Sequence, residues 1–135
     1  MVTATLNNYR QSPRKVRLVV SLVKGRSVAE ALALLAFVPK RASRPLATLI
    51  NSAVANAKHN FSLESDSLFV KDFRVDAGKV LKRSMPRARG SAFPIKKRTS
   101  HITLVLANQS EMKKSKIKRK NDILKLINGK KNEKK

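Results

Sequence analysis

In the segment LKRSMPRARGSAFPIKKR, residues 81–98, every charged residue is basic. The segment separates two stretches that have the pattern of β-strands. Apolar and polar residues alternate over residues 68–76 and again over residues 101–106, which is typical of strands with one buried face. A turn at residues 86–90 would let the two strands pair as one long antiparallel hairpin. The sequence therefore predicts a protruding ribbon over residues 79–98.

The predicted ribbon has arms of about nine or ten residues, which at roughly 3.3 Å per residue could reach about 30 Å from the sheet. A bare two-stranded ribbon is marginally stable in water, and like charges weaken it further. The alternative is a flexible, solvated loop. The strand-like flanks and the absence of acidic residues favour a ribbon that is stabilised by a polyanion.

A strand and three helices precede the ribbon. Alternation predicts a strand over residues 2–6, and apolar residues that recur every three or four positions predict a helix over residues 42–57. Two shorter helices lie between them. The predicted fold is α+β, a three-stranded antiparallel sheet packed on three helices, with the long hairpin protruding. The first of the two shorter helices is predicted to begin at the N-cap Ser12, followed by Pro13, and to end at Gly25. The second is predicted to begin at a Ser27–Glu30 capping box and to end at Pro39.

The composition changes after residue 108. Residues 109–135 hold eleven basic and three acidic residues and few apolar ones. We therefore expect residues 1–108 to form one α+β RNA-binding domain that includes the hairpin. Residues 109–135 are expected to form a basic C-terminal extension that is disordered or is ordered by a partner.

Charge limits the class of partner. The chain has 31 Lys and Arg against eight Asp and Glu, a net charge of +23. Repulsion of this size disfavours a compact state unless a polyanion compensates it. Nucleic acid is the leading partner and an anionic membrane surface the second.

Several other classes of protein fit poorly. The longest apolar run has eight residues, too few to span a membrane, and no secretory signal is expected at the N-terminus. Without cysteine there is no disulfide framework and no thiolate metal site. We expect a soluble, non-secreted chain that binds no membrane, metal or cofactor.

Two clusters of basic residues are the candidate RNA-binding sites. One surrounds the first helix, where a phosphate could dock at the helix start, although solvated side chains explain such a cluster about equally well. The other follows the ribbon. The predicted RNA-binding residues are Arg10, Arg14, Lys15, Arg17, Lys24, Arg26, Lys79, Lys82, Arg83, Arg87, Arg89, Lys96, Lys97 and Arg98.

Catalysis has little support in the sequence. His59 and His101 are the only histidines, and each is better explained as a structural or surface residue than as a general base. Asp72 and Asp76 share a strand face with Arg74 and are expected to pair with basic neighbours. Low aromatic content argues against binding by base stacking and favours phosphate contacts with folded RNA.

Three segments resemble the family of large-ribosomal-subunit protein twenty-two. They are SPRKVRLVVSLVKGRSVAEALALL (12–35), LINSAVANAKHN (49–60) and LKRSMPRARGSAFPIKKRTSHITLVL (81–106). The PRARG and KRTSHIT motifs are specific. Two departures are Asp76-Ala77-Gly78-Lys79, where the family usually has Asp-Glu-Gly-Pro, and Phe93-Pro94 in the returning arm.

The resemblance implies a structural, non-enzymatic protein of a bacterial or organellar ribosome. It would bind large-subunit ribosomal RNA, support early assembly and line the peptide exit tunnel with its hairpin. Neighbouring ribosomal proteins and, transiently, the nascent peptide would be its other partners, and no homo-oligomer is expected. Residues 81–83 would fall on the stretch that influences the tunnel constriction and macrolide sensitivity. The hairpin tip would comprise Met85, Pro86, Arg87, Ala88, Arg89, Gly90 and Ser91.

Two other functions use the same features. A free nucleic-acid packaging protein would rely on the same charges without a ribosome, and its binding would be lost at high salt. An RNA-modifying enzyme is disfavoured by the small number of acidic and histidine residues.

Overall fold

The computed structural model describes residues 1–108, so the predicted C-terminal extension lies outside the described residues. Within this part, three strands and three α-helices follow one another in the order β-α-α-α-β-β. Short 3₁₀ turns cover Ser65–Ser67 and Ala88–Gly90. The elements are β1 (Val2–Tyr9), α1 (Pro13–Val23), α2 (Val28–Phe37), α3 (Ser43–Phe61), β2 (Leu68–Pro86) and β3 (Ala92–Asn108).

The strands form one antiparallel sheet in the order β1-β3-β2, so β3 is the central strand. β1 pairs with residues 100–106 of β3, and β2 pairs with β3 along nearly its whole length. The predicted α+β class, with a three-stranded antiparallel sheet and three helices, is confirmed.

The helix boundaries follow the predicted signals. Ser12 is the N-cap of α1, with Pro13 at the first helical position, although the Ser12 side chain makes no capping hydrogen bond. Ser27 and Glu30 form the predicted capping box at α2. The chain turns after α1 at Gly25, whose φ of +82° lies in the left-handed region that glycine adopts readily.

The core lies between the helices and one face of the sheet. Alternate residues of β3 are fully buried, and the apolar faces of the helices pack around them. Truncating one of these large side chains to Ala is expected to cost about 2–5 kcal/mol. The largest fully buried apolar side chains are Val16, Val19, Val23, Leu46, Ile50, Leu68, Val70, Ile102, Leu104 and Leu106.

The outer edge of β2 is closed by the chain around α1. Gly25 N–H donates to the Val70 carbonyl and Val70 N–H donates to the Arg26 carbonyl, each at 2.9 Å. Farther along, the Arg17 guanidinium donates to the Val75 carbonyl from Nη2 at 2.7 Å and from Nε at 3.0 Å. These contacts use backbone groups that an open sheet edge would leave unpaired.

A bulge interrupts the β2–β3 ladder between Ala77 and Val80. Thr99 Oγ1 donates to the Lys79 carbonyl across the bulge at 2.7 Å. Gly78 packs so closely that a Cβ there would lie 2.5 Å from Thr99 Oγ1. Because bulges bend and twist strands, this joint sets the direction in which the two strands continue.

Beyond the bulge, β2 and β3 pair only with each other. Their register runs without a shift from Val80–Arg98 to Pro86–Ala92, and Pro94 is accommodated opposite Ser84. The Arg87 N–H donates to the Ser91 carbonyl at 2.9 Å and closes the turn. We call this two-stranded part, residues 80–98, the ribbon.

Substitution of Gly78 tests the joint. We expect Gly78→Ala to lower the free energy of unfolding by about 1–3 kcal/mol, because the added methyl overlaps the Thr99 hydroxyl. Thr99→Ala should cost about 1 kcal/mol through the lost hydrogen bond. In urea unfolding, the double variant should lose less than the sum of the single variants, since the hydroxyl that clashes is gone. Additive losses would contradict this description of the joint.

Candidate nucleic-acid interface

Three of the six predicted RNA-binding residues around α1 have partners within the protein. Arg17 binds the Val75 carbonyl of β2, as described above, and Arg26 Nε donates to the Leu22 carbonyl at 2.9 Å. Lys24 Nζ lies 2.7 Å from Asp72 Oδ1. The geometry favours a structural role for these three side chains.

Asp72 is the acceptor in both ion pairs of residues 1–108. Besides Lys24, it contacts Arg74 Nε at 3.1 Å through its second oxygen, and its side chain is 32% exposed. The hydrogen bond from Lys24 Nζ holds the pKa of the Asp72 carboxyl below its ordinary value. The prediction that Asp72 and Asp76 pair with basic neighbours is confirmed for Asp72 and wrong for Asp76, which forms no ion pair within residues 1–108. The pairing of Asp72 neutralises part of the charge at the α1–β2 contact.

The other three cations near α1 are available to a ligand. Arg10, Arg14 and Lys15 are exposed, and their side chains make no hydrogen bond or ion pair with another residue of the described part. The first turn of α1 contains no acidic residue. The start of this helix is therefore a positively charged surface without internal compensation.

The two faces of the ribbon differ in character. On one face Lys82 lies directly opposite Lys96, and Val80 lies opposite Arg98. Like charges in directly opposed positions destabilise a strand pair. The other face alternates apolar and basic residues, with the cross-strand pairs Leu81–Lys97, Arg83–Ile95 and Met85–Phe93.

The turn at the end of the ribbon spans Arg87–Ser91, while Met85 and Pro86 belong to the ladder just before it. The Arg87 guanidinium carbon lies 5.8 Å from the centre of the Phe93 ring. Arg89 has a φ of 58°, which is unusual for a residue with a side chain. Every residue from 82 to 94 is exposed, and none of the basic side chains of this stretch forms an ion pair within residues 1–108.

A cleft of about 720 Å³ lies where the base of the ribbon meets the body. Six cations and no acidic residue line it. Arg41, in the α2–α3 connection, was not among the predicted binding residues, and the only sequence signal for it is the basic composition of residues 40–44. The cations are Arg10, Lys15, Arg41, Lys96, Lys97 and Arg98.

Gln11, which lines this cleft, has a side-chain acceptor that lacks a donor. The side-chain oxygen Oε1 of Gln11 is buried and has no hydrogen-bond partner among residues 1–108. The Gln11 backbone is fixed, because its carbonyl accepts from Ser100 Oγ at 2.6 Å. The cleft thus offers positive charge to a ligand, whereas the Gln11 side-chain oxygen is buried and out of a ligand's reach.

Neither histidine is arranged as a catalytic base. Nδ1 of His101 lies 3.3 Å from the Asn8 N–H and 3.2 Å from Asn7 Oδ1, and Nδ1 of His59 lies 3.2 Å from Asn60 Oδ1. In the described part of the chain, no group of three His, Asp or Glu side chains is close enough to hold a metal ion. Nor does any helix there have the length and apolar content to cross a membrane.

Comparison with known proteins identifies close relatives. The sequence model described as "Ribosomal protein L22p/L17e" matches residues 4–107. Large ribosomal subunit protein uL22 of Deinococcus radiodurans is 59% identical over 100 residues, which cover 74% of this chain and 75% of that protein. The protein of the same name from Desulfitobacterium hafniense is 54% identical over 102 residues, covering 76% of this chain and 90% of the relative. That of Lactobacillus delbrueckii subsp. bulgaricus is 52% identical over 108 residues, covering 80% and 92%.

Substitutions can distinguish the cations that stabilise the fold from those that are available to a ligand. We expect Arg17→Gln to lower the free energy of unfolding by about 1.5–3 kcal/mol, because the charged hydrogen bonds to the Val75 carbonyl are lost. Arg14→Gln, three residues earlier on an exposed position, should change it by less than about 0.5 kcal/mol. Urea unfolding of both variants checks this, and equal losses would show that Arg17 does not anchor β2.

Proposed function

Since the chain belongs to the ribosomal protein L22p/L17e family, we propose that it binds large-subunit ribosomal RNA, supports subunit assembly and lines the peptide exit tunnel. The tunnel-lining part would be the ribbon. Members of this family are structural proteins, so the chain is a structural constituent of the large ribosomal subunit and not an enzyme. The relatives named above are bacterial, so of the two predicted locations we propose the ribosome of a bacterial cytoplasm rather than that of an organelle.

One observation carries the proposal that the ribbon binds RNA, namely the placement of Lys82 opposite Lys96. Repulsion between these two lysines destabilises the ribbon in the free chain, and the ribbon contains no acidic residue that could compensate their charge. RNA phosphates over this face of the ribbon, close to both lysines, would turn the repulsion into attraction. The ribbon is thus suited to a phosphate-rich surrounding rather than to water.

The end of the ribbon supports the proposed place in the tunnel wall. The turn Arg87–Ser91 contains Ala88, Gly90 and Ser91, whose small side chains allow close approach to another surface. Arg87 and Arg89 add two guanidinium groups, which can bind phosphates bidentately. A thin, positively charged tip of this kind could pass between RNA segments and contact a nascent peptide transiently.

The remaining contacts of the proposal concern the body. Arg10, Arg14 and Lys15 would hold ribosomal RNA near the start of α1, because they have no partner within residues 1–108. Neighbouring large-subunit proteins would complete the surroundings. We propose that the protein forms no homo-oligomer and that residues 1–108 are one RNA-binding domain.

The opposed lysines give a quantitative test. We expect the double variant Lys82→Gln/Lys96→Gln to reduce the log–log salt slope of binding to a bacterial large-subunit rRNA transcript by about 1.4–1.8. This value corresponds to two phosphates at about 0.7–0.9 each. Filter binding between 50 and 200 mM salt measures the slope.

A matched control separates the ribbon from the overall charge. Lys58→Gln/Lys71→Gln removes the same charge from exposed positions outside the ribbon and the cleft. Its slope should stay close to that of the wild type. Equal reductions in both double variants would mean that the ribbon has no special part in binding.

Shortening the ribbon tests the tunnel role. Because Arg83 and Ile95 are partners in the ladder and Ile95, unlike Pro94, has an N–H for the closing hydrogen bond, an Asn-Gly turn can replace residues 84–94. We expect the urea midpoint of the body and incorporation into large subunits to stay unchanged, since the removed residues are exposed. A density map of the purified subunit should show a wider tunnel at this point, and peptide-dependent stalling should change. Wild-type tunnel dimensions and stalling would refute the proposed tunnel position.

A further inference from the structure

We propose that the cleft at the base of the ribbon clamps a phosphodiester strand of RNA, and that the bound strand fixes the direction of the ribbon. The inference rests on the proposed function, because it takes RNA as the polyanion. It goes further by assigning the strand to one cleft and by giving its binding a conformational effect.

The two walls of the cleft belong to different parts of the molecule. Arg10, Lys15 and Arg41 lie on the body, whereas Lys96, Lys97 and Arg98 lie at the base of the ribbon, with Lys97 on one face of the ribbon and Lys96 and Arg98 on the other. No Asp or Glu lines either wall. The volume of about 720 Å³ falls in the range of clefts that hold small ligands, about 300–1,000 Å³. The cleft can therefore admit a few nucleotides of a strand that passes between the walls.

Like charges on facing walls repel each other. In the free chain this repulsion pushes the ribbon away from the body, and at physiological ionic strength it is screened only beyond about 8 Å. A phosphodiester strand between the walls attracts both of them. Strand binding therefore replaces an opening force by a closing one.

The joint between the walls lies where the pairing of the ladder is interrupted. The bulge between Ala77 and Val80 interrupts the β2–β3 pairing just below the cleft, and Thr99, which bridges the bulge, also lines the cleft. A change in the tilt of the ribbon thus requires only local adjustment at this joint. The two walls can approach or separate while the core of the body keeps its packing.

The conformational effect can be measured by the distance between two spin labels. The chain has no cysteine, so Ser52→Cys on α3 and Ser84→Cys on the ribbon give two unique labels at exposed positions. In the full chain at 50 mM salt, we expect a broad distance distribution that narrows on addition of a 16-nucleotide poly(U) strand. Inorganic tripolyphosphate at the same phosphate concentration should leave it broad. No narrowing with poly(U), or equal narrowing with tripolyphosphate, would overturn the strand clamp.

Removing charge from the body wall of the cleft tests whether its residues cause the change in the label distances. Lys15→Gln/Arg41→Gln should give a narrow distribution without RNA, because the repulsion across the cleft is reduced. It should also lower the salt slope for poly(U) by about 1.4, or two phosphates at about 0.7 each. The control Lys58→Gln/Lys71→Gln should respond to poly(U) as the wild type does. Identical behaviour of the two variants would assign the effect to net charge and overturn the proposal.

Failure of the clamp and failure of the proposed function give different results. If the wild-type chain neither binds the rRNA transcript nor enters large subunits, the proposed function fails. If it does both, while poly(U) leaves the label distances unchanged or the two variants behave alike, only the clamp fails.

Discussion

Repulsion among basic side chains is the constraint on which this structure depends. Internal compensation is scarce and is placed where the fold needs it. Asp72 holds Lys24 and Arg74 at the α1–β2 contact, and Glu30 completes the capping box of α2. The exposed cations of the ribbon and of the α1 start receive no such partner within residues 1–108. The fold therefore divides into a body that is stable by its own contacts and a ribbon whose stability depends on its surroundings.

The body achieves its independence through apolar packing and backbone hydrogen bonds rather than through ion pairs. The buried residues of β3 hold the helices, and the chain after α1 pairs with the outer edge of β2 at Val70. Arg17 illustrates the same principle, because its charge is used to bind a backbone carbonyl instead of a carboxylate. A charged donor strengthens such a bond, and a neutral acceptor spares one of the few acidic residues. A very basic chain can thus fold before it meets its polyanion.

Local features of this fold could be predicted from the sequence, whereas features that depend on register could not. Alternation, the capping box and the proline and glycine positions are short-range signals, and they gave the strands, the helices and the position of the turn near Gly90. The contact between Arg17 and the Val75 carbonyl joins residues 58 positions apart, and no sequence pattern indicated it. The opposition of Lys82 and Lys96 requires the register of the ladder. Arg41 joins the cleft only because the α2–α3 connection folds back beside the start of α1. Gly78 carried a signal, since a glycine inside a strand pattern often marks a bulge.

The coupling between ribbon and partner has a thermodynamic consequence. Any ligand that binds only the ordered ribbon stabilises it by an amount that grows with ligand concentration, and the free energy of ordering is subtracted from the affinity. Repulsion between Lys82 and Lys96 therefore weakens binding most for polyanions that contact only one arm of the ribbon. Because both lysines project from the same face, a partner whose phosphates span both arms on that face regains this cost. The charge that destabilises the free ribbon thus acts as a selectivity device, since it favours an RNA surface that spans both arms over loose contact with one of them.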